Sequence, residues 1–230
     1  MNTQIDITKN GTTTLATAGK YCDRNIDVNV NVDGGGGADV IADLVQGAMA
    51  GEYISDKVTS LKMAAFAQCK NLTKVSLPNC VKFESFRTFY GCENITELIL
   101  PSLYNIADGT NAFGSMYKLR EIRLPTLTTV TSFSATFDNC IAVTRIELSS
   151  LGGTTIGSNA FKNCYKLHTL ILGGSTLNPL SNTSALSNIG TEATKPFSIY
   201  VPDNLVASYK AATNWSTIAD KIKPISELEE

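Results

Sequence analysis

Phe66, Phe89, Phe113, Phe137 and Phe161 recur at steps of 23, 24, 24 and 24 residues, and each brings the same frame with it. Three residues on stand Cys69, Cys92, Met116, Cys140 and Cys164. Six on come Leu72, Ile95, Leu119, Val143 and Leu167; nine on, Val75, Leu98, Ile122, Ile146 and Leu170; eleven on, Leu77, Leu100, Leu124, Leu148 and Leu172. Five apolar columns held over five copies leave the chain few choices. One such unit cannot bury its own apolar face, whereas stacked units bury a continuous core. The last two columns alternate with period two, which is the pattern of a short strand with one face inward. Pro78, Pro101 and Pro125 end the strand in the first three copies, because proline cannot continue a ladder. The segment around each phenylalanine, "NAFKNC" in the fifth copy, lacks alternation and is too short for a long helix. It reads as a turn or helical coil on the far side of the unit.

The frame "AFxxCxxLxxIxLP" resembles the leucine-rich repeat, and more closely its BspA-like bacterial class, over residues 58–172. The resemblance implies a leucine-rich-repeat solenoid with short parallel strands on its concave side, with the repeats occupying residues 58–180. Departures from the frame are Met116 in the cysteine column, Ser149 and Gly173 in the proline column, and "SSLGGTTIGS" in the fourth link.

The flanks read differently. Ile26, Val28, Val30 and Val32 alternate strictly, Ile5 and Ile7 suggest an earlier strand, and Asn10-Gly11 is a turn signal. Residues 1–32 are therefore expected to form a small β-hairpin module. Four glycines within residues 33–38 make a flexible linker, and no phosphate-loop lysine follows them. Val40, Ile41, Leu44, Val45, Ala48 and Met49 share one helical face behind Asp39, so residues 39–57 read as a helical N-terminal cap. Residues 181–230 read as a C-terminal strand, "SIYVP", and a helical cap begun by Asp203, with Leu205, Val206 and Tyr209 on one face and Trp215, Ile218 and Ile222 continuing the pattern. Both flanks are similar to the ends of repeat proteins encoded by phages and prophages of gut Firmicutes. The N-terminal part is similar to a module of phage tail-associated proteins. That resemblance implies a virion setting and possible self-assembly through the N-terminal module; a bacterial cell surface is the alternative location.

The 230 residues are 43% hydrophobic, with 19 basic against 21 acidic side chains. Balanced charge argues against nucleic acid as a partner, since that needs a basic surplus on one face. No apolar run reaches the roughly 18 residues of a membrane span, and the start lacks the charged and apolar regions of a signal peptide.

Little here suggests catalysis. His168 lies four residues after Cys164, but its equivalents in the other copies are Thr73, Thr96, Arg120 and Thr144, and no third orienting group is in view. Four of the six cysteines fill one core column that also accepts Met116, which reads as buried free thiols rather than disulfides. Without a C-x-x-C pair, zinc is disfavoured, and no cofactor or metal is expected. Cys22 and Cys80 stand outside the column, as candidates for greater reactivity. The strand residues between the core positions form two outward columns, and these supply the candidate ligand-binding residues: Lys74, Glu97, Ile99, Glu121, Arg123, Arg145, Glu147 and Ile171. Their mixed charges suit a protein or glycan ligand. The plain alternative is a solvated face whose charges pair across strands. Ile99 and Ile171 favour binding, because an exposed strand has no need of them for stability.

Overall fold

The computed structural model describes Thr12–Thr13, Val28–Asn31 and residues 51–229. The first two segments are strands β1 and β2, which pair antiparallel. Then follow β3 (Glu52–Ile54), β4 (Val58–Leu61), β5 (Lys74–Ser76), β6 (Lys82–Phe83), β7 (Glu97–Ile99), β8 (Asn105–Ile106), β9 (Glu121–Arg123), β10 (Thr129–Val130), β11 (Arg145–Leu148), β12 (Thr169–Leu172), β13 (Ser198–Val201) and β14 (Ile222–Pro224). Among the described residues one α-helix, α1, spans Val206–Ala211.

The first four coils each contribute one strand to each of two faces, on which the repeat strands run parallel. The long face carries β3-β5-β7 and then β9-β11-β12-β13-β14. The second face carries β4-β6-β8-β10, and isolated bridges from Phe133 to Ile156 and on to Leu180 prolong it. Between the faces the five apolar columns are almost wholly buried, as the repeat demands. The second sheet adds inward residues of its own, including Phe83, Ile106 and Val130. Its two-residue strands are too short to show alternation in the sequence.

The phenylalanine segment is a turn and not a helix. The residues two before and two after each phenylalanine hold positive φ: Ala64, Arg87, Asn111, Ala135 and Asn159 on one side, Gln68, Gly91, Ser115, Asn139 and Asn163 on the other. Asparagine and glycine tolerate that conformation best, which accounts for the "NAFKN" spelling. The rings stack in register, 5.0 to 6.1 Å apart and tilted by 3 to 6°. Cys92, Cys140 and Cys164 donate their thiols to the carbonyls of Phe66, Phe113 and Phe137 one coil back, at 2.9, 3.1 and 3.2 Å. The column therefore selects a small hydrogen-bond donor, more than the apolar filler suggested by Met116. These three thiols are free and buried, but the expectation of a free thiol fails at Cys69, which is disulfide-bonded. Cys80, a candidate for greater reactivity because it stands outside the column, is buried too.

At the ends, several expectations change. Residues 52–54 form β3 at the start of the long face, where a helical cap over 39–57 was expected; residues 39–50 lie outside the described residues. β2 pairs antiparallel with β4, so this part of the expected N-terminal module is hydrogen-bonded to the repeat sheet itself. The other strand residues expected there, Ile5, Ile7, Ile26 and Val32, and the linker glycines, lie outside the described residues. At the far end the parallel ladder continues through β13 and β14. The C-terminal segment contains one six-residue helix among 3-10 turns. Asp203 does not cap α1; its carboxylate accepts from the Ser226 amide at 3.2 Å instead. Tyr209 and Trp215 are buried and converge on Asn178. The Tyr209 hydroxyl accepts from the Asn178 backbone amide and side chain, at 2.9 and 3.0 Å, and the Trp215 indole donates to the Asn178 carbonyl at 2.8 Å.

Candidate functional site

The side chains of the long face alternate, with Leu98, Ile122 and Ile146 inward and their neighbours outward. Strand pairing puts Lys74 opposite Glu97, Glu121 opposite Arg145, and Arg123 opposite Glu147. Four of the predicted residues close into one network. Arg123 bonds Glu121 at 2.6 Å, Arg145 bonds Glu147 at 3.0 Å, and Arg145 Nε lies 3.5 Å from Glu121. That last contact is an ion pair without a hydrogen bond, since Arg145 Nε has no acceptor in good geometry. Ser149 adds a hydrogen bond to Glu147 at 2.8 Å. Burial raises the Glu147 carboxyl, but the bonds from Arg145 and Ser149 and the charges of Arg145 and Arg123 outweigh it and hold the group below the usual range. Lys74 pairs with Glu97 at 2.9 Å, and that bond raises its pKa.

The two isoleucines part company. Ile99 is 36% exposed, whereas Ile171 is 4% exposed and offers no surface to a ligand. Ile171 stands in register between Glu147 and Tyr200, two large side chains, on a strand whose four residues are all buried. Ile171 is therefore withdrawn from the binding residues.

The face is not one continuous sheet. Among the described residues, β7 and β9 exchange no backbone hydrogen bond, although β5 pairs with β7 and β9 with β11. A cavity of about 470 Å³ lies along this step. Ile99, Glu97 and Thr96 form one wall, Arg120, Glu121 and Arg123 the other, and Pro101 and Pro125 stand where the strands end. The sequence carries signals for this slot in the third coil, although two of the columns depart from the repeat again later, at Ala142, Lys166 and His168. Thr96 and Thr144 clip their coils to the one before, through bonds to Thr73 O and Arg120 O at 3.1 and 3.0 Å, and Arg120 takes that column's place in the third coil. Asn94 clips to Lys70 O at 2.6 Å, and its successor is Lys118. Met116 cannot donate as the cysteines do. Glu97 and Glu121 are successive members of one outward column, a like-charged step that disfavours pairing.

His168 sits apart from this face's centre, its Nδ1 2.9 Å from the Thr169 hydroxyl. Burial, then the charges of Lys195 and Arg145, lower its pKa. The Cys164 thiol points to Phe137 O, so no Cys–His pair exists. Among the described residues no group of three or more His, Cys, Asp or Glu side chains is placed to hold a metal ion, and no helix is long and apolar enough to cross a membrane.

The model of the BspA-type leucine-rich-repeat region matches residues 52–168 and 87–189, in six copies. The chain belongs to this family. The copy beyond the five phenylalanine units is a coil in which Leu186 takes the phenylalanine place and Asn188 the positive-φ place after it, with its side chain bonded to Asn163 at 2.8 Å. Among curated proteins none matches the sequence.

Proposed function

We propose that this BspA-type repeat protein is a non-enzymatic recognition and adhesion protein that holds a protein or glycan ligand on the outward face of its long sheet. One observation supports this above the rest: the face is interrupted by an open slot beside an exposed Ile99, where a purely structural sheet would pair throughout. Lys74, Glu97, Glu121, Arg123, Arg145 and Glu147 surround the slot or adjoin it. Their charges nearly cancel, so long-range attraction of a polyanion is not the basis of binding. Short polar bonds around an apolar contact suit a protein or sugar surface better.

The setting we favour is a phage tail, with the repeat face turned to a host or environmental surface. A bacterial surface protein of the BspA kind, binding host matrix protein, is equally consistent with the family match. The two settings are separated by the neighbouring genes: tail genes on either side favour the virion, and their absence favours the cell surface.

Binding is tested with the wild-type chain and the double variant Ile99→Lys, Arg123→Glu, applied to whole bacterial cells and to immobilised matrix protein. Loss of binding in the variant is expected, with stability changed by no more than about 1 kcal/mol, because exposed ion pairs contribute little. Full binding by the variant would move the ligand off this face.

A further inference from the structure

We propose that the slot between β7 and β9 receives an extended, basic peptide segment of a partner protein, whose lysine or arginine sits between Glu97 and Glu121 and whose apolar residue two positions on packs against Ile99. This rests on the reading of the long face as the binding surface, and it names the ligand class and the place.

The backbone argument comes first. At neighbouring steps the amides of the following coil reach the carbonyl of the residue before the strand. Thr96 and Glu97 bond Thr73 O at 2.8 and 3.3 Å, Thr144 bonds Arg120 O at 2.7 Å, and His168 and Thr169 bond Thr144 O at 3.1 and 3.2 Å. At the slot the corresponding groups, the Arg120 and Glu121 amides and the Thr96 carbonyl, make no such bond to each other. Unpaired strand groups are a template for an extended chain, which supplies amides and carbonyls at the same spacing.

The slot is bounded. On the turn side the same two coils are joined by Gly91 to Gly114 at 2.9 Å, and past the strands Thr126 bonds the Pro101 and Leu103 carbonyls at 2.9 and 3.1 Å. β8 and β10 stay paired on the second face. The gap is thus confined to the outward strands, and seating a chain between them requires β7 and β9 to move apart about that pair, to two strand spacings of about 9.6 Å. The core behind it is the loosest step of the stack. The Phe89 and Phe113 rings are 6.1 Å apart, the widest step of the stack. The thiol clip is missing at Met116, an unbranched side chain that adapts its shape. Leu98, beside the slot, is 7% exposed, more than its column neighbours Val75 and Ile122 at 0% and 1%.

The side-chain argument sets the class of peptide. In the column Lys74 pairs with Glu97 and Arg145 with Glu121, and Arg123 on the same slot wall also bonds Glu121 at 2.6 Å, but along the column Glu97 and Glu121 follow one another as like charges at the slot. A cationic residue between them restores the alternation seen on either side. Residues i and i+2 of an extended chain share a face, so the next residue on that side meets Ile99.

The test uses the full chain and two capped synthetic pentapeptides, Thr-Lys-Val-Ile-Leu and Thr-Glu-Val-Ile-Leu, followed by amide hydrogen exchange. At ten times its Kd, the lysine peptide is expected to slow exchange of residues 97–100 and 120–124 by about tenfold. The glutamate peptide should bind about twofold to fivefold more weakly, the scale of an exposed ion pair. The variant Glu97→Gln, Glu121→Gln should remove the preference between peptides, while exchange in β11 and β12 stays as in wild type and shows that the fold is kept. Equal binding of both peptides to the wild type, protection elsewhere, or no protection at millimolar peptide would overturn the proposal. If neither peptide binds but the Ile99→Lys, Arg123→Glu variant still loses surface binding, the slot assignment fails and the face reading stands. If the lysine peptide binds in the slot and that variant keeps its surface binding, the reverse holds.

Discussion

A buried thiol in this core does two jobs, filling a small space and donating to a carbonyl of the coil before it. Burial pushes Cys80, Cys92 and Cys140 from 9.0 up to about 12 and raises Cys164 well above 9.0, with nearby backbone bonds pulling the other way. The folded values lie above the unfolded ones, so between about pH 9 and 12 the unfolded chain releases protons that the native chain retains. The stability that these thiols contribute is complete below about pH 9 and is lost as pH climbs toward 12. Urea unfolding is therefore expected to show a steady decline above about pH 9. Cys140→Ala should lower stability by about 1–2 kcal/mol at neutral pH and make the alkaline decline shallower. A decline of unchanged slope would show that Cys140 titrates freely in the folded chain. The phenylalanine and cysteine columns were legible because burial of a whole column repeats five times. Ile171 was misread because its exposure depends on what stands beside it, Glu147 and Tyr200, and a column position alone does not carry that information.

At the scale of the coil, the repeat is a set of places where one backbone meets the next, and Gly173 and Gly174 mark a close approach between the fourth and fifth coils. A Cβ on Gly173 would come within 2.6 Å of Ser149 O, and one on Gly174 within 2.2 Å of Leu151 O. The Gly173 amide also donates to Leu148 O at 3.1 Å. Gly173 occupies the column that holds Pro78, Pro101 and Pro125 in the first three copies. Restoring the consensus by Gly173→Pro is expected to destabilise the chain by about 2–4 kcal/mol, because it adds a clash and removes a donor. A variant whose melting temperature matches wild type would show that the coils can move apart there at no cost. The alternating strands of the long face were plain in the sequence. The second sheet was not, since Lys82–Phe83, Asn105–Ile106 and Thr129–Val130 are too short for any period to emerge. The slot was written in the third coil at Met116, Lys118, Arg120 and Glu121, but columns read for what they share conceal what one copy lacks.

Seen whole, a solenoid is a ladder whose inner steps protect one another and whose ends do not. Here the C-terminal end is closed by a clasp on one side chain. Asn178 is fully buried, and its amide bonds Leu151 O at 3.0 Å and the Tyr209 hydroxyl, while its side-chain oxygen accepts from the Thr154 amide at 3.0 Å. Tyr209 and Trp215 thus tie the segment after β13 to the fourth and fifth links. β14 then covers the edge of β13, and Pro224 at its end leaves one amide fewer for another chain to pair with. Removing residues 203–230 takes away the clasp, both large aromatic side chains and β14 in one step. It leaves the Asn178 backbone amide and carbonyl without their Tyr209 and Trp215 partners, at about 1–3 kcal/mol for each unsatisfied group. It also bares β13 as a four-residue edge with Ile199 and Val201 beneath it. Edge exposure and unsatisfied polar groups act together, so the truncated chain is expected to elute as oligomers or to precipitate, where the full chain gives a single defined species. The milder variant Tyr209→Phe keeps the ring and removes only the acceptor for two Asn178 donors. It should stay soluble and lose about 1–3 kcal/mol in urea unfolding. Size-exclusion chromatography with light scattering distinguishes the outcomes. A truncated chain that remains monomeric and melts cooperatively would show that the repeats close their own end, and that the clasp serves something other than the stability of the solenoid.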